Sequence, residues 1–325
     1  MKFHRRNFIR LAAGAAALPG LSRPTMAQAY PSRSVRIIAP ISAGGTQDIL
    51  ARLIGSWLSE RFGQSFFTEN RPGGGNNIGT EVAVRAPADG YTLLLASTAN
   101  AVNATLYDKL NFDFIRDITP IASIARFPFV MTVHPSVPAK TVTEFITYAK
   151  SEPGKINMAS AGTGTVPHIG GELFNMLSGV RMVHVPYRGG APAMTDLLAG
   201  QVQVYFVTTA SSVAYVKAGK LRALAVTAMT RYDGLPDVPT LNEFLPGYEA
   251  NVWFGLGAPN GTPPAIIDKL NSETNAGLTD AKIKSRIAEL GGTVLTGSPA
   301  EFGNLVAHEV DKWAKVIRAA SIKAD

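Results

Sequence analysis

Short apolar runs alternate along this chain with longer stretches whose apolar residues recur every three to four positions. That alternation predicts strands separated by amphipathic helices, an α/β fold with largely parallel sheets. Val35–Ala39 reads as a strand, and Ile49, Leu50, Leu53, Ile54, Trp57 and Leu58 mark one face of the following helix. Asp89-Gly90 predicts a turn into a strand over 91–95, apolar throughout and suited to the middle of a sheet. Thr141 and Glu144 form a capping box ahead of a helix over 145–150, which Pro153-Gly154 ends. Residues 155–159, 182–185, 202–207 and 221–227 predict further strands. The last helix begins with Ser298 as N-cap, Pro299 in its first position and Glu301 in its third, and runs to about Ala320.

Four apolar runs break into glycine-rich loops that open helices: ISAGGTQDILARLI from Ile41, RPGGGNNIGTEVAV from Arg71, SAGTGTVPHIGGELF from Ser160 and YRGGAPAMTDLL from Tyr187. A helix that starts this way points unpaired N–H groups and the positive end of its dipole at the loop's contents. Glycine lets that backbone approach a ligand closely, so the pattern predicts capture of a small anion. The candidate ligand residues are Ser42, Ala43, Gly44 and Gly45, with Asp48 at the helix start; Ser97 and Thr98 at the carboxyl edge of a strand; and Gly162, Thr163, Gly164 and Thr165. His168 sits just inside a helix N-terminus and is placed to line a cleft. Arg188 is the one basic side chain in these loops within reach of it, either pairing with a distal carboxylate or lying solvated at the surface. Any one such loop taken alone reads as an ordinary connection; four split between two lobes favour a ligand cleft.

Proline- and glycine-rich stretches at 127–138 and 236–261 bracket a middle block with its own alternating elements. They predict a first domain from residues 30–130 and 250–325, with a second, 131–249, inserted into it. Two crossings make a hinge and leave a cleft.

Composition changes the picture at the start of the chain. His4-Arg5-Arg6-Asn7-Phe8-Ile9-Arg10, a short apolar run and Ala27-Gln28-Ala29 form a twin-arginine export signal over residues 1–29, with an ordinary secretory signal the second choice. The apolar run is far below the roughly 18 to 20 residues needed to span a bilayer. The signal carries Lys2, Arg5, Arg6, Arg10 and Arg23 and no acid, so the formal charge of +7 falls to +2 without it. The basic balance is therefore a targeting feature and not a nucleic-acid surface. With no Cys in the chain, disulfides, thiolate metal sites and cysteine nucleophiles are excluded. The chain has no G-x-S-x-G, H-E-x-x-H or G-x-x-x-x-G-K-[ST], and its histidines lack metal-ligand spacing. No enzyme, metal or cofactor is expected.

The segment His184-Val-Pro-Tyr-Arg-Gly-Gly-Ala-Pro-Ala-Met-Thr-Asp-Leu-Leu-Ala-Gly-Gln-Val adds a resemblance. With Asn70-Arg-Pro-Gly-Gly-Gly, Asp89-Gly-Tyr-Thr-Leu-Leu, Leu235-Pro-Asp-Val-Pro-Thr and Phe254-Gly-Leu-Gly-Ala-Pro, it resembles the periplasmic receptors of tripartite tricarboxylate transporters, the Bordetella uptake gene (Bug) family. The likeness covers essentially all of the chain beyond the signal. It implies a two-lobed class II periplasmic binding protein fold that closes on a small carboxylate: a di- or tricarboxylate, an acidic amino acid or an aromatic acid. Recognition by loop amides and ordered waters would map onto residues 42–45 and 162–165, with the loops at Gly73 and Gly189 as supporting walls. The partner implied is a membrane permease, and a monomer is the natural form. Family members often carry an acid after the strand that ends here in Phe206-Val207-Thr208-Thr209. Its loss, leaving Thr208, removes a partner for a ligand amino group and favours an acid without one. Two rival roles are a sensory receptor of the same fold and, remotely, a periplasmic hydrolase using Ser160 or His168.

Overall fold

Apolar and β-branched runs form the strands of one curled, mixed sheet in the computed structural model, which describes residues 30–324. The export signal expected over 1–29 lies outside the described residues. The strands are β1 (Val35–Ala39), β2 (Phe66–Asn70), β3 (Thr92–Ser97), β4 (Ile118–Val133), β5 (Asn157–Ser160), β6 (Val183–Pro186), β7 (Val204–Thr208), β8 (Arg222–Val226), β9 (Asn251–Pro259) and β10 (Thr293–Val294). The helices are α1 (Thr46–Phe62), α2 (Asn77–Val84), α3 (Thr98–Leu106), α4 (Phe114–Asp117), α5 (Val142–Ser151), α6 (Val166–Ser178), α7 (Gly190–Leu198), α8 (Thr209–Lys217), α9 (Pro264–Thr279), α10 (Ala281–Glu289) and α11 (Pro299–Ala319).

The sheet order is β2-β1-β3-β9-β4-β7-β5-β6, with β8 and β10 also paired to β4. β1 runs parallel to β2 and β3, and β5 parallel to β6 and β7. The two long strands in the middle run antiparallel to their neighbours. β4 serves both halves of the sheet. From Ile118 to Pro128 it pairs with β9, ending opposite Asn251; from Phe129, opposite Thr208, it pairs with β7.

The segments at 127–138 and 236–261, read from sequence as linking stretches, thus contain parts of β4 and β9. Prolines and glycines along β4 and β9 look like strand breakers, but several fall where the ladder tolerates them. Pro120 stands at a register shift, and Pro128 sits where β4 changes partner. Gly255 marks a close approach: a Cβ there would lie 2.2 Å from the Phe302 ring of α11 and 2.8 Å from the Ala122 carbonyl oxygen.

Alternation along the buried strands builds a core on each face of the sheet. Ile37, Leu93 and Leu95 meet Leu50, Ile54 and Leu58 of α1 and Leu270 and Leu278 of α9. Ile38, Leu94 and Ala96 join Val102 of α3, Phe174 of α6 and Trp313 of α11. Helix α11 spans both halves, packing on α3, β4 and α6. The fully buried Trp313 donates its indole N–H to Glu309 at 2.8 Å, so its one polar atom is satisfied inside that core.

Because Phe302 and a backbone oxygen leave no room at Gly255, Gly255→Val should destabilise the protein by about 2 kcal/mol or more. A lowered urea midpoint with unchanged m-value is the expected result.

Candidate functional site

The helices that follow β1, β3, β5, β6 and β7 begin around one cavity of about 740 Å³. Thr46 and Gln47 open α1, Thr98 and Ala99 open α3, Thr165 and Val166 begin α6, Gly190 and Ala191 begin α7, and Thr208 precedes α8. Each start leaves first-turn N–H groups without an intrahelical acceptor and carries about half a positive charge. Among the described residues the lining contains no Asp, Glu, Lys, Arg or His. Its polar atoms come from backbone, from hydroxyls and from the amides of Gln47 and Asn76; the remaining walls are apolar, with Phe129 and Phe254 contributed by β4 and β9. The buried Tyr205 also faces the cavity. Burial pushes its phenol up to about 12, so it stays neutral.

A polar network fixes the cavity wall beside β3. Gln47 donates to the Leu95 carbonyl at 2.6 Å and accepts from Asn76 at 3.2 Å. Asn76, held at φ 82°, also reaches Ser97 Oγ at 3.2 Å, and the Ser97 N–H donates to Asn100 at 2.9 Å. Thr98 spends its hydroxyl on the crossing strand, accepting from the Trp253 N–H at 2.9 Å. Ser97 and Thr98 therefore lie at the cavity, as the strand-edge argument expects, with side chains engaged in holding the backbone.

The loop before α1 departs from expectation. Ser42, Ala43 and Gly44 are exposed, and neither they nor Gly45 line the cavity, which Ile41, Thr46 and Gln47 reach instead. Asp48 also lies outside the lining, because its carboxylate is the staple of this loop. It accepts the Gly44 N–H at 2.8 Å and the Asn70 amide at 2.9 Å, and pairs with Arg52 at 3.0 Å. Burial pushes its pKa up, but the bonds from Arg52, Gly44 and Asn70 outweigh it, and the net shift is downward.

In the loop before α6, Gly164 and Thr165 reach the cavity, whereas Gly162 and Thr163 do not. The Gly162 N–H donates to Ser160 Oγ at 3.1 Å, and its carbonyl accepts from Thr165 Oγ1 at 2.6 Å. The Gly164 N–H donates to His168 Nδ1 at 3.1 Å. Its φ of 76°, and a Leu106 methyl 2.3 Å from where a Cβ would stand, leave room only for glycine. His168 is buried away from the cavity, its ring stacked on His184 at 3.5 Å between centroids. His184 Nε2 lies 2.6 Å from Ser160 Oγ. Arg188 is exposed and outside the lining; the cavity meets Gly190 and Ala191, two and three residues further on. Thr208 does line it, donating to Ser211 Oγ at 2.9 Å.

Sequence reasoning missed Gln47, Asn76, Tyr205, Tyr215 and the two phenylalanines. The signals for Phe129 and Phe254 were their places beside the predicted crossings. Tyr205 was marked by its strand position, three residues before the Thr208-Thr209 helix start. Among the described residues no cluster of His, Cys, Asp and Glu is disposed to hold a metal, and no helix is long and apolar enough to cross a membrane.

Residues 50–322 match the family model TctC, the tripartite tricarboxylate transporter family receptor. The chain belongs to this family. The receptor is similar to BugT of Bordetella pertussis, at 32% identity over 94% of this chain and 95% of that one. Among solved structures it is similar to Rhodopseudomonas palustris Rpa4515 with adipate, at 36% identity and TM-score 0.77, covering 90% of this chain and 99% of that one. It is also similar to MatC from the same organism with bound malate, at 32% identity and TM-score 0.73, over 89% and 100% of the two chains. The receptor thus has the two-lobed fold of the periplasmic solute-binding proteins.

Asp48 titrates below its ordinary value in the folded receptor, so its stabilisation is complete at neutral pH and is lost as pH falls through that lowered value. Asp48→Asn should cost about 1–3 kcal/mol at neutral pH. The gap between variant and parent in urea midpoint should close in strongly acidic buffer.

Proposed function

We propose that this receptor is exported to the periplasm, captures a small carboxylate in the cavity and delivers it to a membrane permease. One observation carries the reading: the N-termini of α1, α3, α6, α7 and α8 surround a cavity with no charged side chain in its lining. An anion there receives hydrogen bonds and dipole stabilisation from every side, and no acidic residue repels it. Rpa4515 with adipate and MatC with bound malate support an organic acid as the ligand. Bridging waters would let one set of amides serve acids of different shape.

The same reading makes β4 and β9 the hinge, with a first domain of residues 30–130 and 250–325 and a second of 131–249. The paired crossings at Pro128 and Asn251 lie side by side, so a small twist there would swing one set of helix starts against the other. Closure would shield the acid from water and strengthen each N–H bond to it. We assign the binding itself to amides near Thr46, Thr98, Thr165, Gly190 and Thr208. Ser97, Asp48 and His168 act as positioning residues, and the receptor works as a monomer.

A hydrolytic role draws no support from this geometry. Ser160, paired with His184 beside the cavity, is fully buried, outside the lining and already bonded to the Gly162 loop.

Thr46 provides a direct test of backbone recognition. It is the first residue of α1, and Gly45 before it is extended at φ −75° and ψ 161°, which suits a residue preceding proline. Thr46→Pro deletes the N–H of a residue that lines the cavity at little cost to the helix, while Thr46→Ala keeps it. Calorimetry with a carboxylate should show affinity falling about 10- to 100-fold for the proline variant alone, at unchanged melting temperature. Equal affinity in both variants would remove the α1 amide from the site. Binding of the neutral amide analogue as tightly as the acid would overturn the anion reading.

A further inference from the structure

We propose that the receptor carries a second binding site, a pocket behind the crossing strands, which takes a small zwitterion on an apolar body: an α-amino acid of about leucine's size. The site is separate from the cleft and does not depend on what the cleft holds. Along β9, Val252 and Phe254 line the cleft cavity, whereas Asn251 and Trp253 line this pocket on the opposite face of the sheet. Helix α11 closes one side of it, and Leu295 and Thr296, just after β10, stand on another. The enclosed volume is about 220 Å³, room for about seven waters or one molecule of that size. A register shift between Ser123 and Ala125 brings Ser123 and Arg126, on the same strand, into the one pocket. Arg126 is paired with Trp253 in the ladder, which sets the guanidinium and the indole beside each other on the pocket floor.

The groups left uncommitted decide the ligand. Lys312 and Glu309 pair with each other; Lys312 also donates to the Glu249 carbonyl at 3.2 Å, and Glu309 accepts the Trp313 N–H at 2.8 Å. Trp253 and Arg126 are not spent in this way. Trp253 is 2% exposed, yet its indole N–H meets no acceptor among the described residues. A buried donor without a partner is costly, and a ligand oxygen in the pocket would relieve it. Arg126 stands 3.5 Å from Glu249, beyond an ordinary hydrogen bond, so its guanidinium keeps N–H groups for a carboxylate. Glu249 gives one oxygen to Asn251 at 2.8 Å and keeps the other for a cation. The carboxylate of an amino acid therefore matches Arg126 and Trp253, and its ammonium matches Glu249. Such a ligand brings no net charge into a pocket already lined by three carboxylates and two cations. A lone anion or a lone cation would meet only half of this set. Leu295, Phe302 and Leu305 supply the wall that an apolar side chain would cover.

The test is calorimetry on the purified receptor with leucine and three fragments of it. Glycine keeps both charges without the body; 4-methylpentanoate and 3-methylbutylamine keep the body with only the acid or only the amine. Arg126→Gln, at a side chain 40% exposed where folding should survive, should weaken leucine about 10- to 100-fold. Trp253→Phe keeps the ring, removes an N–H that has no partner to lose, and should weaken leucine about tenfold. Thr46→Pro, which alters the cleft, should leave leucine binding unchanged. The binding that Arg126→Gln removes should be at least tenfold tighter for leucine than for any of the three fragments. Leucine binding that is indifferent to Arg126→Gln, or that falls with Thr46→Pro instead, belongs to the cleft and overturns the second site. Equal Arg126-dependent affinity for 4-methylpentanoate or 3-methylbutylamine overturns the zwitterion. Failure of the folded receptor to bind leucine leaves the pocket to water alone and overturns the proposal, with the carboxylate reading of the cleft untouched.

Discussion

Every helix leaves its first-turn N–H groups without partners, and a fold must place those donors against water, side chains or a ligand. This receptor begins five helices around one cavity, with no carboxylate among the described residues that line it. Much else in the two loops follows from that arrangement. Asp48, Ser160 and His168 are occupied in holding turns whose remaining amides face inward, and each takes up one loop N–H that would otherwise hang free. A loop stapled in this way presents its donors at fixed positions, so binding of the proposed anion would leave little ordering to be done.

The two long strands give the cavity its back wall and join the halves of the sheet. Because side chains alternate along β9, Val252 and Phe254 look into the cavity while Trp253 between them lies on the other face, edge-on to Phe302 of α11 at 5.6 Å. The strand that carries the cavity's aromatic surface thus also carries the contact with the long C-terminal helix. A change in its twist would be felt on both faces.

The elements of the fold were legible in the chain to within a residue or two wherever apolar runs were bounded by turns: β1, β3 and the capped starts of α5 and α11 stand where the pattern puts them. Strands β4 and β9 were less legible, since Pro120, Pro128, Gly255 and Gly257 imitate loop composition. Their tolerance depends on a register shift, a change of partner and the close packing of Phe302 and Ile118, none of them local properties. The glycine loops pointed to the end of the sheet where the cavity lies, but only some of their residues line it. Spacing along a sequence does not say which face of a loop turns inward, so Ser42 to Gly44 turned outward while Ile41, Thr46 and Gln47 line the cavity. His168 misled for a related reason: a helix start offers one side to the cavity and the other to the core, and its ring went to the core to stack on His184.

The uncharged lining has a consequence for how the receptor behaves in a compartment whose acidity follows the surroundings. Among the described residues the lining holds no carboxylate, ammonium, guanidinium or imidazole, and burial pushes the Tyr205 phenol up to about 12. If the proposed carboxylate is the ligand, its own ionisation then contributes proton linkage that the walls do not. A weak acid is in its charged form well below neutrality, so uptake would keep its grip through wide swings of external acidity.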